Sequence, residues 1–185
     1  MVDETTALER LTVPVTAEDH IIGAPDAPIT LVEYGEFECP HCGRAHFQLK
    51  ELRKRLPELG ARIVFRHLAR DEIHPFSVRA AVTAEAAGKQ GRFWPMHDRL
   101  FENQHALEYD DLRQHATAVD LDVAQFMEDL SDPNLLDRVR ADGAGALAAG
   151  VDSTPAFFLN DRFYEGDYRT AALAAAIKRE EDAGK

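Results

Sequence analysis

Both cysteines of this 185-residue chain fall in one stretch, Cys39-Pro40-His41-Cys42, and its flanks limit the fold more than any other feature. Before it, Ile29, Leu31 and Glu33 share one face and Thr30, Val32 and Tyr34 the other, so residues 29–34 read as a central strand covered on both sides. After it the period changes. Ala45, Leu49, Leu52 and Leu56 fall at i, i+4, i+7 and i+11, one stripe of a helix. Pro40 suits the first turn of that helix, where a missing N–H costs nothing and the fixed φ is already helical. Cys39 then stands at the helix start and Cys42 one turn in, on the same side.

That placement has chemical consequences. The thiolate is the nucleophile, and a free cysteine with a pKa of about 8.5 is mostly protonated at neutral pH. Unpaired N–H groups and the dipole at a helix N-terminus favour an anion there, and a protonated His41 would favour it further. Cys42 is placed to resolve a mixed disulfide formed at Cys39. Glu36 and Glu38 act in the opposite sense, although a position ahead of the helix leaves them solvated and screened. Cys39, Cys42 and His46 also offer three ligands with zinc-like spacing. A structural zinc site needs four, and no second cysteine pair exists, so dithiol chemistry is the favoured reading. No metal and no other cofactor is expected with it.

Further along, Pro57 and Gly60 stop the helix, and Ile63 and Phe65 alternate with Arg62, Val64 and Arg66 in a second strand, giving β-α-β with a parallel pair. Residues 71–150 are helical in pattern throughout. They include the stripe Phe93, Met96, His97, Leu100 and Phe101, a cap at Asp110 or Asp111, a capping-box-like Asp122 and Gln125, and Asp132-Pro133 as cap and first helical residue. Strand character returns at 155–159, turns at Asn160-Asp161 and continues at 162–165; a last helix starts near Thr170. The expected organisation is an N-terminal extension over 1–28, an α/β core from 29–70 with 151–185, and an inserted helical subdomain over 71–150.

This order, together with Cys39-Pro40-His41-Cys42 and Ser153-Thr154-Pro155, resembles the DsbA-like thiol–disulfide oxidoreductases of the thioredoxin superfamily, over nearly the whole chain from about His20. The resemblance implies a thioredoxin-like fold with an inserted α-helical lobe. It implies Cys39 as the exposed nucleophile and Cys42 as the buried resolving thiol. Glu33 would be the acid buried beneath them, Pro155 a cis-proline, and Thr154 the residue offering its backbone to an extended substrate beside Pro40. Glu33 shares a face with Ile29 and Leu31, so burial should raise its pKa and fit it to move a proton for Cys42.

The remaining polar residues have plainer expectations. His97 is a satisfied core histidine, His46 a helix-surface residue and His74-Pro75 a turn. Trp94 belongs to the lobe core, and Arg66 either pairs with an acid across the sheet or is exposed at a strand end. The net charge of −12 disfavours nucleic acid and anionic membrane, and no apolar run is long enough to span a bilayer. The acidic start lacks a signal-peptide core. A cytoplasmic protein is expected from the chain as it stands, or an extracytoplasmic one if an export signal has been removed. The expected partners are protein thiols or disulfides, or small thiols, with a further redox partner. Two other functions fit less well: a metal-binding module on Cys39, Cys42 and His46, and a glutathione-using transferase or isomerase, whose active position usually holds a single Ser or Cys.

Overall fold

The computed structural model describes residues 10–184; the acidic start over 1–9 lies outside them. Five strands form one sheet, β1 (His20–Gly23), β2 (Ile29–Gly35), β3 (Ala61–His67), β4 (Ala156–Leu159) and β5 (Arg162–Phe163), in the order β1-β3-β2-β4-β5. β2 and β3 are parallel, as the intervening helix requires, and β1, β4 and β5 join antiparallel. Every residue of β2 is buried, the condition its two apolar faces anticipate.

The described residues form eight helices: α1 (Pro40–Arg53), α2 (Leu56–Leu59), α3 (Ser77–Lys89), α4 (Phe93–Glu102), α5 (Tyr109–Ala118), α6 (Val123–Asp129), α7 (Pro133–Ala148) and α8 (Thr170–Ala183). Ile29, Leu31 and Ile63 pack on one sheet face against Ala45, Leu49 and Leu52 of α1 and Leu173 and Ile177 of α8. Each such side chain, fully buried, contributes about 1.5–3 kcal/mol. Val32, Tyr34, Val64 and Phe158 on the other face meet Ala146 and Ala149 at the end of α7. The small residues of α7 permit this closeness: a Cβ on Gly145 would lie 3.4 Å from the Tyr34 hydroxyl and 3.1 Å from Val13. The lobe, α3 to α7, has its own apolar cluster, and that cluster includes Phe37, Cys39 and Cys42. The cysteines therefore stand where core and lobe meet.

Three details differ from expectation. The sheet begins inside the N-terminal extension, because His20–Gly23 pairs with β3. Residues before it are also held: Asp19 takes two hydrogen bonds from Arg66, at 2.8 and 3.0 Å, while Val13 and Pro14 carbonyls and the Tyr34 hydroxyl accept the rest of that buried guanidinium's donors. Arg66 thus pairs with an acid, but with one from the extension. The helix expected over 40–56 ends at Arg53, and Pro57 sits inside a separate short helix closed by Gly60 at φ 54°. Glu108, rather than Asp110 or Asp111, caps α5, in a reciprocal box with Asp111.

Candidate active site

Cys39 takes the N-cap position of α1 with extended backbone (φ −70°, ψ 122°), and Pro40 is the first helical residue. Both cysteines are free thiols. Cys39 is 6% exposed and Cys42 fully covered, so the first cysteine is a narrow opening in the surface rather than the broadly exposed group expected. Pro40 and His41 beside it are exposed.

The two sulfurs have opposite electrostatics. The Cys42 side chain hydrogen-bonds the Cys39 thiolate, and the Thr154 side chain and the backbone N–H groups of Cys42 and His41 add to it. Together they outweigh burial and hold Cys39 down at about 4. Burial, the bond to Cys39 and the nearby Glu33 charge push Cys42 well above the ordinary thiol value. The Thr154 carbonyl lies 3.5 Å from Cys39 Sγ, and the Thr154–Pro155 peptide bond is cis. Cys39, Cys42, Thr154 and Pro155 therefore come together from two distant parts of the chain.

Glu33 lies beneath them, 2% exposed, and its Oε1 has no hydrogen-bond partner. Burial raises its carboxyl to about 8, against the pull of Arg53 and with the push of Cys39. Such an acid is neutral at pH 7 and able to give a proton to a sulfur beside it.

His41 is arranged differently from its expected role. Its Nδ1 accepts from the Arg44 guanidinium at 2.9 Å, so the fixed cation at the mouth is Arg44, and His41 supports the thiolate through its backbone N–H. The acidic residues before the helix are also not simply solvated. Glu36 is buried, takes a 2.6 Å hydrogen bond at Oε1 from His74 Nδ1, and has its carboxyl raised to about 7, by burial above all. Glu38 accepts from the Phe76 N–H at 2.7 Å.

His46 is a correction of another kind. It is 1% exposed, stacked on Phe101, with neither ring nitrogen hydrogen-bonded. α4 covers this side of α1, and Asp98 and Glu102 flank the ring at 3.9 and 3.7 Å. His46 gathers with His97 and Asp98, and among the described residues it forms no metal-like group with the cysteines. His97 is buried as expected but only half satisfied, Nδ1 meeting Asp98 at 2.9 Å while Nε2 has no partner. Trp94 packs against the lobe cluster as expected and also against the sheet cluster, donating to the Ile21 carbonyl at 3.1 Å beneath the Arg53 guanidinium.

Sequence reasoning missed Gln104. Its Nε2 donates to the carbonyls of Phe37 and Cys39 at 2.8 and 2.9 Å, and it packs so tightly that a Cβ on Gly43 would lie 2.3 Å from its Oε1. This residue ties the cysteine loop to the lobe. Nothing in a lone Gln after a helix end signals that.

A Cys-x-x-Cys at the start of the helix after a central strand, a cis-proline beside it and a helical insertion define a thioredoxin-fold protein of the DsbA-like kind. The family model described as Thioredoxin matches residues 15–179, and the chain belongs to that family. The fold superposes on a thioredoxin-like oxidoreductase from Silicibacter pomeroyi with a TM-score of 0.80 at 26% identity, over 90% of this chain and 94% of that one. It is also similar to oxidised BdbD from Bacillus subtilis, with a TM-score of 0.79 at 22% identity over 91% and 96% of the two chains. Among curated proteins, the Na(+)/H(+) antiporter NhaA 1 of Salinispora arenicola is 44% identical over 168 residues, 90% of this chain and 26% of that protein. The chain thus spans about a quarter of the length of the curated relatives it matches. No helix of the described residues is long and apolar enough to cross a membrane.

Proposed function

We propose that this chain exchanges disulfides with protein or small-thiol partners, with Cys39 as the exchanging sulfur and Cys42 as the resolving one. The opposed electrostatics of the two sulfurs support this most directly: one is held as a thiolate at the opening, the other as a thiol beneath it. In the oxidising direction, a partner thiolate attacks Cys39 of the Cys39–Cys42 disulfide and expels Cys42, which takes up a proton for which Glu33 is the nearby acid. A second partner thiolate then attacks the partner sulfur of the mixed disulfide and expels Cys39. Two electrons pass to the protein, the partner gains a disulfide, and the protein is left as the dithiol. A stable Cys39 thiolate is a good leaving group and favours the reduced protein, so the pair is more oxidising than one with ordinary thiols. Thr154 and Pro155, with Pro40, border the opening and form the proposed seat for an extended partner. In a reducing cytoplasm the pair would rest as the dithiol, and in an oxidising compartment it would turn over as the disulfide.

The metal and glutathione alternatives have less support: Cys39, Cys42 and His46 do not converge, and the position a single catalytic Ser or Cys would hold carries an intact pair. The antiporter names belong to relatives of which this chain matches about a quarter, and the reading for this chain is thiol exchange. Incubation with a disulfide-bearing protein tests it. Cys42→Ser should accumulate a mixed disulfide at Cys39, and Cys39→Ser should accumulate none. Trapping at Cys42, or alkylation landing first on Cys42 in the reduced protein, would reverse the assignment.

A further inference from the structure

Two groups of ligand-type side chains lie outside the cysteine site: His46 with His97 and Asp98, and His20 with His67 and Glu85. They differ in what already occupies them. In the first, Arg53 donates to Asp98 Oδ1 at 2.6 Å and approaches His97 Nδ1 at 3.3 Å, so a side-chain cation fills the place an ion would take. The second has no such cation on it. Its three members come from β1, β3 and α3, and Glu85 Oε1 takes His20 Nε2 at 2.7 Å and His67 Nε2 at 2.8 Å.

We propose that His20, His67 and Glu85 bind a divalent transition cation of the zinc class and thereby clamp the helical lobe to the sheet. Two imidazoles and a carboxylate are borderline-soft donors of the kind zinc takes, with a further position left for water. A tetrahedral ion with bonds of about 2.0–2.2 Å keeps its ligand atoms about 3.3 Å apart. The two nitrogens stand 2.7 and 2.8 Å from Glu85 Oε1, so each of these contacts opens by about half an ångström to admit the ion, and the two nitrogens, already within 4.8 Å of each other, close on it from either side. The chemistry balances without redox change. One ring-nitrogen lone pair from each histidine and the Glu85 carboxylate take the ion, and any proton on those nitrogens passes to the other ring nitrogen or to solvent.

The surroundings fit that role. His20 lies flat on Phe93, ring centroids 3.4 Å apart, and His67 stands among Phe37, Phe65 and Phe93, so both rings are held in place. Glu85 is a buried carboxylate within a run of packed alanines on α3. Asp142 accepts from the His67 backbone N–H at 3.0 Å, bringing a second negative group near the site. His67 is covered, but the His20 side chain is 18% exposed, which gives an ion a way in. The sequence does not advertise the site, because the histidines stand 65 and 18 positions from Glu85.

The test uses the full chain with both cysteines replaced (Cys39→Ser, Cys42→Ser), so that thiols cannot bind metal. Titration with zinc sulfate by calorimetry, and with Co2+ followed by its tetrahedral absorption bands, should show one ion per chain and a higher melting temperature. His20→Ala in the same background should weaken binding at least tenfold and abolish the thermal shift. If His20→Ala does not fold, His20→Gln, which keeps an N–H for Glu85, should give the same loss. Absence of stoichiometric binding, or binding unchanged by both the His20 variant and Glu85→Gln, would overturn the proposal. Neither result bears on thiol exchange.

Discussion

The depressed Cys39 pKa makes a quantitative claim about stability that Cys39→Ser can test. In the unfolded chain this thiol titrates at its ordinary value of 9.0, and in the fold at about 4. For a group whose folded pKa is lowered, the contribution is complete above the unfolded value, shrinks as pH falls, and is gone below the folded value. At about pH 7 the fold holds the thiolate while the unfolded chain holds the thiol. About three of the five pH decades between the two values have then been gained. At about 1.4 kcal/mol per decade this is about 4 kcal/mol, and solvent at the opening screens it to about 2–4 kcal/mol. Urea unfolding of the reduced protein and of reduced Cys39→Ser at about pH 7, 5 and 3 should show a gap that narrows steadily and levels off near the lowest pH at the constant difference between a buried thiol and a buried hydroxyl. Acids away from the site titrate alike in both proteins and cancel, whereas Glu33, Glu36 and Cys42 feel the Cys39 charge and shift with it. The ultraviolet absorbance of the thiolate should fall over the same window. A gap that stays flat with pH, or a thiolate midpoint near the free-thiol value, would refute the reasoning and with it the oxidising character inferred for the pair.

Other expectations are briefer. Glu33→Gln removes a carboxyl raised from 4.5 to about 8, whose cost to the fold grows as pH rises between those values. The variant should therefore gain stability over the wild type across that interval, with a constant advantage above it, while release of Cys42 slows; a pH-independent gap in urea midpoint would count against a buried neutral acid. His41→Ser should raise the Cys39 pKa less than Cys42→Ala does, because the Cys42 side chain leads the stabilising contacts and His41 contributes its backbone; the reverse ranking in thiolate titrations would give the leading part to the His41 side chain. Gln104→Ala deletes two hydrogen bonds that hold the cysteine loop and should cost about 1–3 kcal/mol in thermal or urea unfolding. A loss below about half a kcal/mol would mean that water replaces the amide without penalty.

The legible parts of this molecule are those whose signals are local. A two-faced strand, a proline-started helix and a paired cysteine between them lie within thirty or so residues, and periodicity reads them directly. The lobe was legible as helices for the same reason. What escaped depends on elements distant in sequence. α1 has one apolar stripe, Ala45, Leu49 and Leu52, which meets the sheet, and one polar stripe, His46, Lys50 and Arg53, which reads as a solvent face. The second stripe is covered by Asp98 and Glu102 of α4, and that charge match becomes visible only when the two helices are set side by side. β1 was legible only as a short extended piece near His20-Ile21-Ile22; its place in the sheet was not, because four residues of an edge strand carry little pattern without their partner.

The acidic residues beside the cysteines show how such distant contacts alter a functional argument. From sequence alone, Glu36 and Glu38 oppose a thiolate at Cys39, and screening by water is what softens them. In the fold both are engaged by the start of the helical lobe instead. His74 donates to Glu36, the Phe76 N–H donates to Glu38, and burial inclines Glu36 towards its neutral form, about 7. A carboxyl that is neutral or matched by a donor repels a nearby sulfur weakly. Meanwhile the groups that favour the thiolate, the Cys42 thiol, the Thr154 side chain and two backbone N–H groups, touch the sulfur directly. Contact hydrogen bonds outweigh acids held elsewhere, so an acidic approach to the site remains compatible with a thiolate at neutral pH. The segment carrying His74 and Phe76 does more than enter the lobe: it keeps the acids ahead of α1 from undoing the chemistry at its start.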